Sequence, residues 1–119
     1  MEWNLDKKLP LCPQICEHLC VEIALKRIRP GEKIPSVREA AMAAGVTPNT
    51  VQHAYETLES EGVLFSIRGS GWFATADSSV AQATIDRVIQ KKTEAYFTAM
   101  KVLGMTDEEI KQYVKEWNT

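Results

Sequence analysis

Ile34-Pro35-Ser36-Val37-Arg38-Glu39-Ala40-Ala41-Met42-Ala43-Ala44-Gly45 runs directly into Val46-Thr47-Pro48-Asn49-Thr50-Val51-Gln52-His53-Ala54-Tyr55-Glu56-Thr57-Leu58-Glu59-Ser60-Glu61-Gly62. This stretch holds start and stop signals for two short helices joined by a tight turn. Ser36 and Glu39 have the spacing of a capping box, in which each side chain satisfies an orphan amide at a helix start. Val37, Ala40, Ala41 and Ala44 follow as one apolar face. Gly45 offers the left-handed residue that commonly stops a helix. Thr47 is a good N-cap, and Pro48 sits at the first helical position, where its missing N–H costs nothing. Val51, Ala54, Tyr55 and Leu58 make the next apolar face, which Gly62 ends. The small residues of the first helix permit close packing on the second, and Asn49, Gln52, His53 and Glu56 point away from it. The pattern predicts a helix-turn-helix.

Working outward, residues 1–10 read as an extended arm whose Trp3 and Leu5 can pack on the domain or on a second subunit. Residues 13–29 read as a first long helix, with Pro13 at its first position and Ile15, Leu19, Ile23 and Ile28 as its stripe. After Gly62, Val63–Ile67 and Trp72–Thr75 are β-branched and aromatic enough for two strands. The turn between them is Arg68-Gly69-Ser70-Gly71. A glycine-tipped hairpin directly after a helix-turn-helix is the pattern of a wing. A lone hairpin is marginal in water, so this one is expected to pack on the helices through Val63, Phe65 and Phe73. Residues 80–103 predict a long helix stopped by Gly104. Thr106-Asp107-Glu108-Glu109 then gives a second capping box with acids in the first turn. It opens a helix expected to reach Trp117. The last two helices are too small for a core of their own, which makes a second copy the simplest cover for their apolar faces, the alternative being that they fold back on the winged domain.

Composition bounds these readings. A chain of 119 residues makes one domain, or one small domain with an appendage. No apolar run approaches the roughly 18 residues of a membrane span. Met-Glu-Trp-Asn has neither the basic start nor the apolar core of a signal peptide, so the expected setting is cytoplasmic. The net charge of −2 does not advertise nucleic-acid binding, and the two halves of the chain are balanced alike. A DNA partner would require positive charge concentrated on one face. Cys12, Cys16 and Cys20 recur every fourth residue, one stripe of a helix and poor disulfide geometry. They read as small buried apolar residues. As a soft-metal or thiol site they lack a fourth ligand, since His18 points roughly 160–200° away on the same helix. No cofactor and no metal site is expected. An enzyme is not expected either: there is no paired catalytic carboxylate setting, nucleophile elbow or P-loop.

The stretch Pro30-Gly31-Glu32-Lys33-Ile34-Pro35-Ser36-Val37-Arg38-Glu39-Ala40-Ala41 resembles the G-x-x-L-P-S-x-R-x-L-A signature of GntR-family transcription regulators. The resemblance continues through Val46–Val51, Ala54–Gly62 and Arg68–Phe73, and spans about residues 10–75. Ala40 stands where the pattern usually has leucine, and Cys12 near a usual aromatic. The short two-helix tail resembles the YtrA-type branch, where it serves for dimerisation. The implied fold is α+β and mainly α. Residues 1–75 would form a winged helix-turn-helix DNA-binding domain, and residues 76–119 a two-helix dimerisation region.

The resemblance implies a homodimeric DNA-binding regulator, and the expected function is repression from a palindromic operator. Its DNA contacts would be Arg38 on the first helix of the pair, Thr47, Asn49, Thr50 and Gln52 at the start of the second, and Arg68 and Gly69 in the wing. The residues point the same way. Helix N-termini favour phosphates, and Asn and Gln can bind adenine bidentately in the major groove. Arg38 can alternatively pair with a neighbouring acid, and Thr50 can simply complete its helix's first turn. Ile85, Val88, Ile89, Tyr96, Met100, Tyr113 and Trp117 are the expected dimer interface. A small-molecule effector has room only at that interface, against Tyr96, Met100, Tyr113 and Trp117. The competing function is a winged-helix module that binds a protein and no specific DNA.

Overall fold

The computed structural model describes residues 2–118. The first helix, α1, is Leu11–Ala24. It starts two residues earlier than the periodicity predicts, which puts Pro13 third in the helix. Its missing N–H still falls among the orphan amides of the first turn, so the ring is tolerated there. The helix also ends earlier. Lys26 takes a left-handed φ of 62°, and the amides of Arg27 and Ile28 both return to the Glu22 carbonyl. The chain folds back so that Ile28 is buried through the turn. That burial is why the apolar stripe seemed to extend the helix. Arg27 and Glu22 pair at 3.0 Å beside this turn.

The decisive stretch folds as its caps dictate. Ser36 and Glu39 form both bonds of the capping box that opens α2, Val37–Ala44, and Gly45 closes it at φ 70°. Thr47 caps α3, Pro48–Ser60, with Pro48 in the first position. Gly62, at φ 78°, follows the end of α3. Val51, Ala54, Tyr55 and Leu58 are all buried on α3's inner face. They pack with Ile15, Leu19, Cys20 and Ile23 of α1 and Ala40 and Ala41 of α2 in one core.

Strands β1, Leu64–Ile67, and β2, Gly71–Ala74, form an antiparallel hairpin. Its register pairs Leu64 with Ala74, Phe65 with Phe73, and Ser66 with Trp72. The expected packing face is therefore corrected in part. Val63 is buried, but it precedes β1. Within the strands, Leu64 and Ala74 are the buried pair, and Trp72 packs against the core beside them. Side chains alternate between faces, so Phe65 and Phe73 share the outer face. There their rings stack at 5.5 Å, with Phe65 exposed.

A feature not foreseen joins the wing to the helix pair. The turn before α2 runs antiparallel to β2. The Ala74 amide donates to the Glu32 carbonyl and the Ile34 amide to the Trp72 carbonyl, both at 2.9 Å, and Lys33 bridges to Phe73. Three extended segments thus replace the marginal two-stranded ribbon. Tyr55 completes the join. Its ring is fully buried and edge-on to Trp72 at 5.4 Å, and its hydroxyl donates to the Pro35 carbonyl at 2.8 Å.

The N-terminal arm docks on its own domain. Trp3 and Leu5 pack against the core, and Trp3 stacks on His18 at 4.5 Å. Lys7 Nζ donates to the Gly45 carbonyl at 2.7 Å, placing a cation at the C-terminal end of α2, where the helix dipole favours it.

Two compact units divide the chain, one ending at Ile85 and one starting at Asp86. Helix α4, Ser78–Val102, begins in the first, where Ala81 joins the core. In the second, α4 ends before Gly104, and α5, Asp107–Lys115, opens with the second capping box. Lys101 pairs with Asp107 at 2.7 Å across the turn. Helix α5 stops short of Trp117, which lies beyond it, its ring 5.9 Å from Tyr113. No helix among the described residues is long and apolar enough to cross a membrane.

Tyr55→Phe keeps the ring and removes the bond to Pro35. It is expected to lower the unfolding free energy by about 1–2 kcal/mol, because the Pro35 carbonyl loses its partner; urea denaturation followed by far-UV circular dichroism measures this. His18 gives a pH prediction. Burial lowers its pKa below the ordinary 6.5, Arg27 adding to this and Glu22 opposing it, and its Nε2 is buried without a partner among the described residues. The unfolded chain then takes up a proton at this site before the folded chain does, so stability falls as pH drops below about 6.5. His18→Phe should flatten the difference between urea curves at about pH 7.5 and about pH 5.5.

Candidate nucleic-acid interface

The candidate contacts Arg38 to Gly69 all lie in the unit ending at Ile85. They sit at two helix starts and one hairpin tip, where local hydrogen bonding decides which groups remain available. At the start of α2, Glu39 accepts from the Ser36 amide at 3.0 Å. That bond, with the Ser36 hydroxyl, holds the Glu39 carboxyl below its usual pKa. The acid beside Arg38 is thus engaged with the helix end. Arg38 itself is exposed and makes no ion pair among the described residues. The alternative of a pairing with a neighbouring acid is not what the structure shows.

At the start of α3 the residues divide. Thr47 Oγ1 accepts from the Thr50 amide at 3.3 Å, and the two hydroxyls share a hydrogen bond of 2.9 Å. One hydroxyl must donate to the other, which leaves the pair a single O–H donor for any ligand. Thr50 therefore does complete the first turn. Asn49 is exposed and Gln52 half-buried, and neither side chain makes a hydrogen bond among the described residues. These two amides carry a full set of free donors and acceptors.

At the wing tip the Ser70 amide returns to the Ile67 carbonyl at 2.9 Å, closing a four-residue turn. Gly69 is its third residue at φ 80°, the conformation a type II turn demands there. A Cβ on Gly69 would meet nothing within 4 Å, so the backbone conformation is what calls for glycine. Arg68 is exposed and without an ion pair among the described residues. Behind the tip, Ser66 Oγ donates to Glu59 Oε2 at 2.8 Å and fastens β1 to the end of α3.

Sequence reasoning passed over two cations. Lys7 reaches the Gly45 carbonyl between the two helices. It also lines an open groove of about 580 Å3 with Leu9 to Pro13, Asn49, Thr50 and His53, so the arm and the start of α1 flank the start of α3. Lys33 lies in the segment paired with β2. Neither carried a sequence signal, because both placements depend on contacts between distant segments. Arg38, Arg68 and Lys33 make no ion pair on this face among the described residues, while Glu39 and Glu59 are held by hydrogen bonds.

The cysteines sit on α1 facing α3. Cys16 Sγ donates to the Ala54 carbonyl at 3.6 Å. Burial, and next the Cys12 thiol, push the Cys16 pKa up to about 12, so the group is a protonated thiol that packs. Among the described residues no cluster of three His, Cys, Asp or Glu has metal-binding geometry. In the expected interface set, Ile85 packs against the first unit's core. Val88 and Met100 are half-buried, and Ile89, Tyr96, Tyr113 and Trp117 are exposed.

Comparison with known proteins gives four findings. The sequence profile described as "Bacterial regulatory proteins, gntR family" matches residues 11–74. The HTH-type transcriptional repressor YtrA of Bacillus subtilis (strain 168) is 32% identical over 110 residues, covering 90% of this chain and 83% of YtrA. Among solved structures, a GntR family transcriptional regulator from Listeria monocytogenes superposes with a TM-score of 0.81 at 31% identity. That match covers 96% of this chain and all of the other. The DNA-binding domain of AraR in complex with operator ORX1 superposes with a TM-score of 0.54 at 32% identity, covering 63% of this chain and 92% of that one.

The geometry separates folding from contact. Thr47→Ala removes a cap and should cost about 1 kcal/mol of stability. Arg38→Ala and Arg68→Ala remove exposed, unpaired side chains and should shift it by less than about 0.5 kcal/mol. Chemical denaturation of the three variants checks the contrast.

Proposed function

Because the chain belongs to the GntR family of bacterial regulatory proteins and is a DNA-binding transcriptional regulator, we propose that it represses transcription by binding a palindromic operator as a homodimer. The observation that carries the reading is the set of unengaged groups on the winged domain. Arg38, Asn49, Gln52 and Arg68 have no protein partners among the described residues, while the polar groups beside them are tied into caps and turns.

In this reading the start of α3 enters the major groove. Asn49 and Gln52 meet base edges, with adenine as the suited base. Arg38, the remaining hydroxyl of Thr47 and Thr50, and the Arg68-Gly69 tip meet phosphates or the minor groove. The AraR domain with its operator and the repressor YtrA support extending these roles to this chain.

The unit starting at Asp86 supplies the pairing surface. Ile89, Tyr96, Val102, Leu103, Tyr113, Val114 and Trp117 are exposed apolar residues on a short helical pair, an arrangement that a second copy covers best. Two-fold symmetry would then set the recognition helices about one turn of DNA apart, the spacing of palindromic half-sites. A small-molecule effector, if one acts, would bind in that interface. By role, residues 1–75 are assigned to DNA and 76–119 to pairing, with Val80, Ala81 and Ile85 packed on the first unit's core.

Selection from a random duplex library followed by anisotropy titration tests the DNA reading. Recovery of an inverted repeat is expected. Arg38→Ala and Arg68→Ala should each weaken binding about tenfold at fixed salt, in line with the loss of a charged contact. A library that yields no preferred sequence would instead favour a protein-binding winged helix. Sedimentation equilibrium tests the pairing: the wild type should be a dimer, and Tyr113→Glu with Trp117→Glu should leave a folded monomer that binds the repeat weakly.

A further inference from the structure

We propose that Lys33 is a further contact to the phosphodiester backbone of duplex DNA, held between the start of α2 and the wing tip by the missing side chain of Gly71. The inference rests on the reading that Arg38, α3 and Arg68 face DNA.

Residues 32–34 are fixed by backbone bonds to β2, from the Ala74 amide to Glu32 and from the Ile34 amide to Trp72. Ile34 is buried at 3% exposure, so alternation turns Lys33 outward. Lys33 is paired with Phe73, and Gly71 lies two residues along β2 on the same outer face. A Cβ built on Gly71, where φ is 120°, would lie 3.1 Å from Lys33 Cε and 3.8 Å from Nζ. The lysine stem therefore crosses the strand where it has no side chain, and its ammonium arrives beside the Arg68–Gly71 turn. Its charge also reaches Glu39 at the start of α2, yet no ion pair with Lys33 forms among the described residues.

The result is a pre-placed, exposed cation between a capped helix start and a glycine turn. A helix N-terminus favours phosphate, and an ammonium is a point charge suited to phosphate and poor at reading bases. Lying in a backbone trough, the side chain has less rotamer freedom to lose on binding. Lys33 thus adds an exposed cation beside the wing tip, alongside the contacts proposed for Arg38 and Arg68.

Anisotropy titrations from about 50 to 200 mM KCl test this, on a duplex selected from a random library and on an unrelated duplex of equal length. Lys33→Met keeps the stem and removes the charge. It should weaken binding to both duplexes by about five- to tenfold near 0.1 M salt, and make the slope of log Kd against log salt shallower by about 1.8, since each homodimer loses two phosphate contacts. Lys33→Arg should keep the wild-type slope, and all variants should melt like the wild type. Wild-type affinity and slope in Lys33→Met, alongside weakened Arg38→Ala, would overturn the Lys33 contact alone. So would a loss confined to the selected duplex with an unchanged slope. Absence of salt-dependent binding in the wild type would overturn the DNA-facing reading itself.

Discussion

The winged domain depends on the placement of one side chain, Tyr55. Its ring is fully buried on α3, edge-on to Trp72 of the wing, and its hydroxyl reaches the carbonyl of Pro35 just before α2. One residue therefore sets α3 against the hairpin and against the entry to the other helix of the pair. Burial favours its neutral form, so the phenol stays a donor at physiological pH. The Pro35 carbonyl it satisfies lies beside Ile34, whose amide bonds to Trp72. Tyr55, Pro35, Ile34 and Trp72 thus close a ring of contacts through three segments. A ring of this kind positions the start of α2, the start of α3 and the wing tip together, though no two of them are neighbours in sequence.

Much of this was legible in the residues, because the signals that set α2 and α3 are local. The bonds of Ser36 with Glu39, of Thr47 with the amide of Thr50, and the left-handed Gly45 involve residues within four positions of each other. A residue pattern can state such bonds directly. The features that escaped involve distance. The apolar stripe of α1 ran on to Ile28 because periodicity registers burial and cannot tell a helix from a turn that folds back. The wing is expected to pack through Val63, Phe65 and Phe73, but the register turns Phe65 and Phe73 outward and leaves Leu64, Trp72 and Ala74 to the core. The third extended segment and the reach of Lys7 to Gly45 depend on where two distant stretches meet. The candidate site was legible for the same reason as the helices, since helix starts and a glycine turn are named by their own residues. Lys33 was not, since its place is given by β2.

Capping also shapes the electrostatics of the face. Glu39 is held on the Ser36 amide and Glu59 on the Ser66 hydroxyl. Each carboxylate does structural work at a helix end or strand, and neither pairs with Arg38 or Arg68. Residues that stabilise the domain and residues that remain free are therefore different residues, even where they are adjacent in sequence. On the proposed reading, changes at Asn49 or Gln52 would alter what is read without disturbing the caps that hold α3.

The unit from Asp86 onward follows a different principle. Helix α5 has a single buried residue, Ile110, so apolar packing within the chain can hold it only weakly. Its ends take up the task. A full capping box, three acids in the first turn and Lys115 in the last all act with the helix dipole, and Lys101 bridges the connecting turn to Asp107. Such terms are worth a few tenths to about 1 kcal/mol each. They can define a helix but cannot cover Tyr113, Val114 and Trp117, which remain exposed. In the proposed homodimer such a helix, set by its ends and left with an apolar flank, would meet its partner already formed, so less ordering entropy would oppose binding.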